Sequence, residues 1–442
     1  MLNMDIKLLR REESGQIIRT GIVGAGQMGR GMVSQMTLMK GIRPSLVADH
    51  SLEKIIGAFH LAGIDDGDIA VAGTVAEANR YLEQGRYVAV EDSEIVSQAD
   101  GIDCVVDVTG VPEAGVKIAV DSMNNGKHVV MMDVETDVVV GPYLKRLGDC
   151  NGVIYTGSAG DEPGAVMELY SFARAMGMEV KVIGKGKNNV IDYECNPDTV
   201  RAEATQRKMS PRMLCSFKDG TKTMVEMTAM SNATGLVPDV IGGHGPQASA
   251  ANCCADLNRL FRLKKDGGIL NRHGVVEYVN GIAPGVFVTV STANQEIAFE
   301  LDYLKVGPGP LWTFYRPYHL CNLETPLTVA KAVIDGEATL VPMDGPVSEV
   351  VTVAKKDLRV GEHLDGIGGW TTYGSIATAA ETYRSGYVLY GLVNKNAVVT
   401  RPVKKGTLLT MDMVRLDRTT QLYQTRLAQD RFYGKGTLLR QE

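Results

Sequence analysis

Residues 17–30 read IIRTGIVGAGQMGR, a short β-branched run that breaks into three glycines and continues with a helical pattern. The spacing Gly-x-Gly-x-x-Gly gives each glycine a separate task in a dinucleotide-binding turn. Gly24 permits the tight turn, Gly26 lets a pyrophosphate approach the backbone, and Gly29 lets the helix pack closely on the strand. The phosphates are expected at the positive end of that helix. The stretch therefore predicts cofactor contacts at Gly24, Gly26, Gln27, Met28 and Gly29.

An acidic residue follows at the distance that such a turn requires. Residues 46–48 read as a second strand, and Asp49 ends it about 20 positions beyond the glycines. A carboxylate there hydrogen-bonds the adenosine ribose and repels a 2′-phosphate. The residues thus favour NAD over NADP.

The first third of the chain alternates strand and helix patterns. An apolar-acidic run at 87–92 and strand patterns at 102–110 and 127–133, rich in Val, are separated by helical segments. This rhythm predicts a doubly wound α/β fold with a parallel sheet covered on both faces. Because ligands bind at the carboxyl ends of such strands, we expect Thr109 and Gly110 to contact the nicotinamide side of the cofactor. The polar residues 133–137 are also expected at a strand end.

The composition narrows the class of protein. The chain has 442 residues, a net charge of −6, 22% charged residues and 44% hydrophobic residues. Mixed charges argue against a nucleic-acid partner, and the short apolar runs argue against a membrane partner. Residues 1–16 do not resemble a signal peptide, and the seven scattered cysteines favour reduced thiols. We expect a cytoplasmic enzyme that acts on a small-molecule substrate.

The middle of the chain contains the candidate catalytic residues. An apolar strand at 180–183 is followed by GKGKNN at 184–189, which reads as a loop. Lys185 and Lys187 are two residues apart, so in extended backbone they share a face and could reach one substrate. One would act at the reacting oxygen, where we favour Lys187, and the other would hold an anion. The alternative interpretation is a solvated loop with incidental lysines.

Further polar residues could bind substrate or serve only the structure. The candidate substrate-binding residues are Glu162, Asn188, Asn232, Arg316 and His319, with Glu226 and His244 as additional possibilities. A reaction with a skeletal rearrangement would also need a divalent metal such as Mg or Mn, for which Asp161, Glu162 and Glu226 are conceivable ligands. Their spacing does not mark a metal site, so the metal ligands stay unknown.

Pattern changes along the chain predict its domains. We expect a Rossmann dinucleotide-binding domain over 1–155 and an α+β catalytic and oligomerisation domain over 156–345. Short β-alternation then indicates a small all-β module over 346–417, with a role in assembly or in covering the site. A charged, helical tail occupies 418–442.

Several segments together resemble a known family. They include GAGQMGRGM, DVETDVVVGPYL, GSAGDEPGAVMEL, GKGKNN, DGTKTMVEM and VAKKDLRVGEHLD. From about residue 17 to 418 the chain resembles the homoserine-dehydrogenase-like oxidoreductases that carry a C-terminal SAF (β-clip) domain, and it is similar to their deoxyxylulose-phosphate reductoisomerase-like members. The resemblance implies a homo-oligomer and NAD(P)-linked chemistry at a carbonyl or alcohol. The reductoisomerase-like relatives use NADPH and a divalent metal in isoprenoid precursor biosynthesis, which conflicts with the preference for NAD read from Asp49.

Three functions remain open from the sequence. The leading one is an NAD(P)-dependent oxidoreductase acting on a small polyol or phosphosugar, and the second is a homoserine dehydrogenase. The third is a sensor that binds NAD(P) without turnover, which the paired lysines argue against because a sensor does not need them.

Overall fold

The computed structural model describes residues 3–434 and residue 439; the last part of the predicted C-terminal tail therefore lies outside the described residues. The strands are β1 (Ile18–Val23), β2 (Ile42–Ala48), β3 (Ile69–Val71), β4 (Tyr87–Val90), β5 (Cys104–Asp107), β6 (His128–Met131), β7 (Tyr155–Gly157), β8 (Glu179–Lys187), β9 (Val237–Pro238), β10 (Val275–Asn280), β11 (Val286–Ser291), β12 (Trp312–Arg316), β13 (Ser348–Ala354), β14 (Thr372–Thr378), β15 (Val398–Val399) and β16 (Val414–Arg415).

The α-helices follow the same chain order. They are α1 (Met4–Glu13), α2 (Gln27–Leu38), α3 (Leu52–Leu61), α4 (Val75–Glu83), α5 (Ser93–Gln98), α6 (Pro112–Asn124), α7 (Val134–Asn151), α8 (Glu162–Ala175), α9 (Arg201–Gln206), α10 (Pro211–Lys218), α11 (Thr221–Thr234), α12 (Cys253–Leu260), α13 (Gln295–Tyr303), α14 (Cys321–Asp335), α15 (Ala379–Ser385) and α16 (Gln421–Phe432). None of these helices, within the part of the chain that the structure describes, has the length and apolarity to cross a bilayer.

The chain divides into two compact units. The first unit comprises Met1–Gly164 and Leu320–Val341, and the second comprises Ala165–His319 and Pro342–Glu442. This division differs from the domains that we predicted. Residues 320–341 return to the first unit because α14 packs on α2, where Val329 and Ala330 join its core.

The first unit is built on a seven-stranded parallel sheet in the order β3-β4-β2-β1-β5-β6-β7. Its strands are buried on both faces, which is why they read as continuous Val and Ile runs. One apolar core contains Ile22 and Met32, and a second contains Val23 and Val96. Because β2 and β5 flank β1 on opposite sides, the strand order reverses at β1. The predicted doubly wound α/β fold is confirmed.

The second unit contains a mixed sheet in the order β12-β11-β8-β10-β9, with β8 at its centre. Methionines of α11, among them Met224 and Met227, pack on the face that carries Ile183. The opposite face, which carries Val182, packs against Leu257 and Phe261 from the α12 region. The sheet therefore lies between two apolar layers.

The C-terminal segment is an integral part of the second unit. The hairpin of β13 and β14 packs on α11, where Ser348 Oγ lies 2.6 Å from Ser231 Oγ and the Gly374 N–H donates to Thr221 Oγ1 at 2.9 Å. The predicted all-β module is mostly β but includes α15. Since Ile376 joins the same core as Met227, residues 346–417 do not form a core separate from 165–319.

Candidate functional site

The glycine turn of the first unit has the geometry that its sequence predicts. Gly24 has φ +113°, and a Cβ there would lie 2.9 Å from Val108 O; at Gly29 a Cβ would lie 1.8 Å from Gly24 O. Side chains at these two positions are thus sterically excluded. Gly26 is different, because nothing stands within 4 Å of its would-be Cβ, although it caps α2. The space in front of the helix N-terminus is open, as a phosphate group requires.

Asp49 lies beside this turn. Its Oδ2 accepts a hydrogen bond from the Ala25 N–H at 2.9 Å, and its Oδ1 accepts one from the Ser51 N–H at 3.1 Å. Lys54 Nζ lies 3.8 Å from Asp49 Oδ1. The predicted second strand therefore delivers its terminal carboxylate to the glycine turn, and the residues present fit the adenosine half of a dinucleotide.

Thr109 and Gly110 lie at the carboxyl end of β5, the strand that pairs with β1. The Thr109 N–H donates to Asp107 Oδ1 at 3.0 Å, and Gly110 has φ +64°. This edge is the switch point of the sheet, where open α/β folds bind their ligands. The predicted position of both residues at the strand end is therefore correct.

Residues 133–137 follow the carboxyl end of β6, as predicted, and form the start of α7. Asp133 caps this helix by accepting from the Thr136 backbone N–H at 3.3 Å, and it also accepts from the Thr136 hydroxyl at 2.9 Å. Asp137 accepts from Tyr155 OH at 2.9 Å. Burial, followed by the charges of Glu135 and Asp107, raises the pKa of Asp133 well above its usual value. These carboxylates are buried helix-start residues, since a cap satisfies otherwise unpaired backbone amides.

The segment around Lys185 and Lys187 is a strand and not the loop that we predicted. β8 pairs with β10 as far as Lys187 opposite Asn280, and with β11 as far as Lys185 opposite Val286. The intervening glycines serve close packing, because a Cβ at Gly184 would lie 1.9 Å from the carbonyl oxygen of Glu277. The prediction that the two lysines share a face is correct, as both contact the α10–α11 side.

Lys185 forms a buried ion pair with Glu226 of α11. Its Nζ contacts Glu226 Oε2, and the two side chains are 7% and 3% exposed. A buried charge requires such a partner because desolvation is costly. The pair fixes one cation and one carboxylate near the end of β8.

Lys187 has a different environment. Its Nζ donates to the Phe217 carbonyl at 2.7 Å and to Asn189 Oδ1 at 3.4 Å. Burial, followed by the positive charge of Lys185, lowers the pKa of Lys187 to about 8. A lysine with this pKa can accept or donate a proton near neutral pH.

A buried carboxylate elsewhere in the second unit was missed by the sequence reasoning. Glu277, fully buried on β10, accepts hydrogen bonds from the backbone amides of His244 (2.8 Å), Gly245 and Tyr278. Burial raises the pKa of Glu277 to about 7. This residue orders the loop in which His244 Nε2 lies 2.7 Å from Asp239 Oδ2. The available signal was a lone acidic residue within the apolar run VVEYVN.

The predicted substrate-binding residues have diverse environments. Asn188 is exposed directly after β8, and Glu162 is the first residue of α8. Arg316 Nη1 lies 3.3 Å from Glu168 Oε2, and His319 Nδ1 lies 2.8 Å from the Pro284 carbonyl oxygen. These four positions stay predictions.

Asn232 requires a correction. It is fully buried in α11, and its Oδ1 accepts hydrogen bonds from the Val347 and Ser348 amides at 2.9 and 3.0 Å. We predicted a substrate contact here, but the carbonyl oxygen is already used to anchor the start of β13. Asn232 is therefore assigned a structural role.

The possible metal ligands divide between the units. Asp161 and Glu162 belong to the first unit, at the start of α8, whereas Glu226 belongs to the second and pairs with Lys185. The metal requirement stays a prediction.

A doubly wound parallel sheet with an open glycine turn at its switch point defines the dinucleotide-binding class of α/β folds. Residues 160–325, which include both lysines, match the family model described as "Oxidoreductase DRL, catalytic domain". No curated protein sequence matches the chain.

Solved structures of dehydrogenases show distant similarity. One is scyllo-inositol dehydrogenase from Lactobacillus casei with bound NAD(H) and scyllo-inositol, which is 14% identical with a TM-score of 0.36 and covers 62% of this chain and 73% of its own. Another is myo-inositol 2-dehydrogenase from Lactobacillus plantarum, which is 12% identical with a TM-score of 0.39 and covers 73% of this chain and 91% of its own. At these scores the similarities carry no functional argument.

Proposed function

We propose that this protein is an NAD(P)-dependent oxidoreductase that interconverts an alcohol and a carbonyl on a small polyol or phosphosugar. The observation that carries the proposal is the open space in front of Gly26, with the Asp49 carboxylate held beside it. The family-model match over 160–325 supports the oxidoreductase class. The buried lysines of β8 supply proton-transfer and anion-binding groups within that segment.

In this proposal a bound nicotinamide supplies the hydride acceptor or donor. Lys187 handles the proton at the substrate oxygen: its neutral amine takes the hydroxyl proton during oxidation, and its ammonium returns it during reduction. Lys185, held by Glu226, provides a second cation for a phosphate or carboxylate of the substrate. Glu277 keeps the His244 loop in place.

The finer assignments rest on the sequence resemblance and on Asp49. We propose NAD as the preferred cofactor, a cytoplasmic homo-oligomer, and either a polyol or a phosphosugar such as 1-deoxy-D-xylulose 5-phosphate as substrate. The homoserine dehydrogenase and the non-catalytic sensor are the competing functions.

The cofactor site is tested by comparing Gly26→Val with Gly57→Val. Both positions offer open space to a Cβ, but Gly57 lies in the middle of α3, away from the glycine turn. A branched side chain at Gly26 occupies the phosphate space, so we expect NADH affinity to fall at least tenfold in that variant only, with unchanged thermal stability. Nicotinamide fluorescence gives the Kd, and equal binding by both variants would contradict the proposal.

The reaction is tested by turnover of NAD(H) and NADP(H) with inositols, phosphosugars and homoserine, each with Mg²⁺ or with a chelator. We expect Lys187→Met to lower kcat and Lys185→Met mainly to raise KM for an anionic substrate. Cofactor binding without turnover of any substrate would favour the sensor, and turnover of homoserine alone would favour the dehydrogenase alternative.

A further inference from the structure

A pair of cysteines lies at the centre of a polar cluster in the second unit. Cys195 Sγ, from the segment between β8 and α9, is 3.6 Å from Cys215 Sγ on α10, and both thiols are free. The two residues are buried, at 2% and 0% exposure. The fold brings these two sulfurs together although the residues are 20 positions apart in the sequence.

A lysine and an aspartate complete the cluster. Lys355 Nζ lies 3.3 Å from Cys215 Sγ and 2.7 Å from Asp219 Oδ2. The same ammonium donates to the carbonyl oxygens of Cys195 and Gly369 at 3.0 and 2.9 Å. A positive charge so close to sulfur favours the thiolate, which is the reactive form.

The two thiols differ in their proton affinity. The hydrogen bond from Cys195, and then the charge of Lys355, lowers the pKa of Cys215 despite burial. The same hydrogen bond, followed by burial, raises the pKa of Cys195. Cys215 is therefore the nucleophile of the pair, and Cys195 is the thiol that can resolve an intermediate formed on it.

A metal is a poorer explanation of this cluster. The Lys355 ammonium lies between Cys215 and Asp219, where a cation would otherwise bind. A zinc site with two thiolates also needs two further nitrogen, oxygen or sulfur ligands, and these ligands must not already be paired with another cation. The arrangement instead has the parts of an oxidisable dithiol, an activated thiolate with a second thiol in reach.

We propose that Cys195 and Cys215 form a reversible disulfide when the protein meets a hydroperoxide. The Cys215 thiolate attacks the peroxide oxygen and becomes a sulfenic acid, while the cleaved O–O bond releases water or an alcohol. The Cys195 sulfur then attacks the sulfenic sulfur, the sulfenic hydroxyl leaves with the Cys195 proton as water, and the disulfide forms; the two thiols are oxidised and the peroxide is reduced. A thiol such as glutathione restores the pair by exchange.

Disulfide formation has a consequence for the lysine site. The sulfurs must approach from 3.6 Å to about 2.05 Å, so α10 or the Cys195 segment must move. Phe217, two residues after Cys215 on α10, provides the carbonyl that holds Lys187 at 2.7 Å. If Lys187 acts as proposed above, oxidation changes turnover; this consequence rests on the proposed function, whereas the disulfide does not.

The disulfide is tested on the full chain by hydrogen peroxide treatment, thiol blocking and peptide mapping. We expect a linked peptide joining Cys195 and Cys215 that dithiothreitol removes. Cys150→Ser, which replaces an exposed cysteine, should form the same linkage, and Cys195→Ser should form none. Because wild-type mapping needs no variant, a folding defect in Cys195→Ser leaves the test intact. Absence of the linked peptide when Cys150 is already oxidised would overturn the proposal.

The link to turnover has its own readout. With any substrate found in the screen, oxidised wild-type protein should lose at least half of its kcat and regain it with dithiothreitol, and Cys195→Ser should keep its rate after peroxide. If the linked peptide forms but kcat is unchanged, the disulfide proposal stands and its coupling to Lys187 is overturned. A protein without turnover would contradict the proposed function alone.

Discussion

Asp49 tests cofactor choice at the level of a single residue. Asp49→Ser removes the carboxylate that should repel a 2′-phosphate, and Lys54, 3.8 Å away, is left to attract that phosphate. We expect affinity for NADPH to rise relative to NADH, by tenfold for each 1.4 kcal/mol of repulsion relieved. Titrations with both cofactors measure the ratio, with the exposed Asp66→Ser as control. Wild-type protein that already prefers NADPH strongly would refute this role of Asp49.

The lowered pKa of Lys187 predicts how the catalytic rate depends on pH. Since its pKa is lowered to about 8, the neutral amine becomes the main form above that pH. Alcohol oxidation needs the neutral form, so its kcat/KM should rise through about pH 8 and level off, whereas carbonyl reduction should fall over the same interval. Lys187→Met should lose this titration and about 10²–10⁴-fold in kcat. A pH profile that survives the substitution would assign the proton to another group, with His244 the next residue to examine.

The residues that could be predicted from the sequence are those whose role is local. Gly24, Gly26 and Gly29 have their predicted environments because a tight turn and its helix are specified within a few residues. Glu277 and the sulfur pair could not be predicted in this way. Their partners come from distant segments, and one sequence does not say which segments meet.

At the level of elements, β8 shows why pattern reading fails. Glycine is a frequent loop residue, and GKGKNN therefore reads as a loop. In a central strand, however, glycine also permits close approach of neighbouring backbone. Gly184 makes room for Glu277 of β10, and Gly186 makes room for Ala283 in the turn between β10 and β11. The alternation of the lysines was visible from the sequence, whereas the sheet that surrounds them is a long-range property.

Asn232 connects two such elements and gives a stability prediction. Asn232→Ala leaves the Val347 and Ser348 amides without their acceptor in a buried place, which should lower the free energy of unfolding by about 2–4 kcal/mol. Asn188→Ala, at an exposed position, should change it by less than about 0.5 kcal/mol. Denaturant unfolding measures both variants. Unchanged stability together with a much higher KM in Asn232→Ala would restore the substrate-binding interpretation.

At the level of the whole molecule, the order of segments along the chain does not match the order of compact units. Residues 320–341 join the first unit and residues from 342 join the second. The sequence showed the change of pattern near residue 346 but not where the new segment packs. The reason is physical, because β13 and β14 complete the apolar surface of α11 and do not form a core of their own.

A substitution in α16 can test whether residues 165–319 and the C-terminal segment unfold as one cooperative unit. Arg426 of this helix is fully buried, with Nη2 2.5 Å from Glu349 Oε1 on β13 and Nε 2.8 Å from Asp430 Oδ1. Arg426→Met leaves two buried carboxylates without their cation, at a cost of about 3–5 kcal/mol. Lys404→Met breaks only an exposed pair with Asp357, which water screens, so it should leave the stability close to that of the wild type.

Both tryptophans of the chain, Trp312 and Trp370, belong to the second unit, and Trp312 is in its core. Tryptophan fluorescence therefore follows the unfolding of this unit and not that of the first. If residues 342–442 belong to the same cooperative unit as the β8 sheet, Arg426→Met lowers the denaturant midpoint of the Trp312 signal and Lys404→Met leaves it near the wild-type value. NADH binding should persist at denaturant concentrations below that midpoint, because the glycine turn that binds the cofactor lies in the first unit. An unchanged Trp312 midpoint in a destabilised Arg426→Met protein would instead make the C-terminal segment an independently folding module.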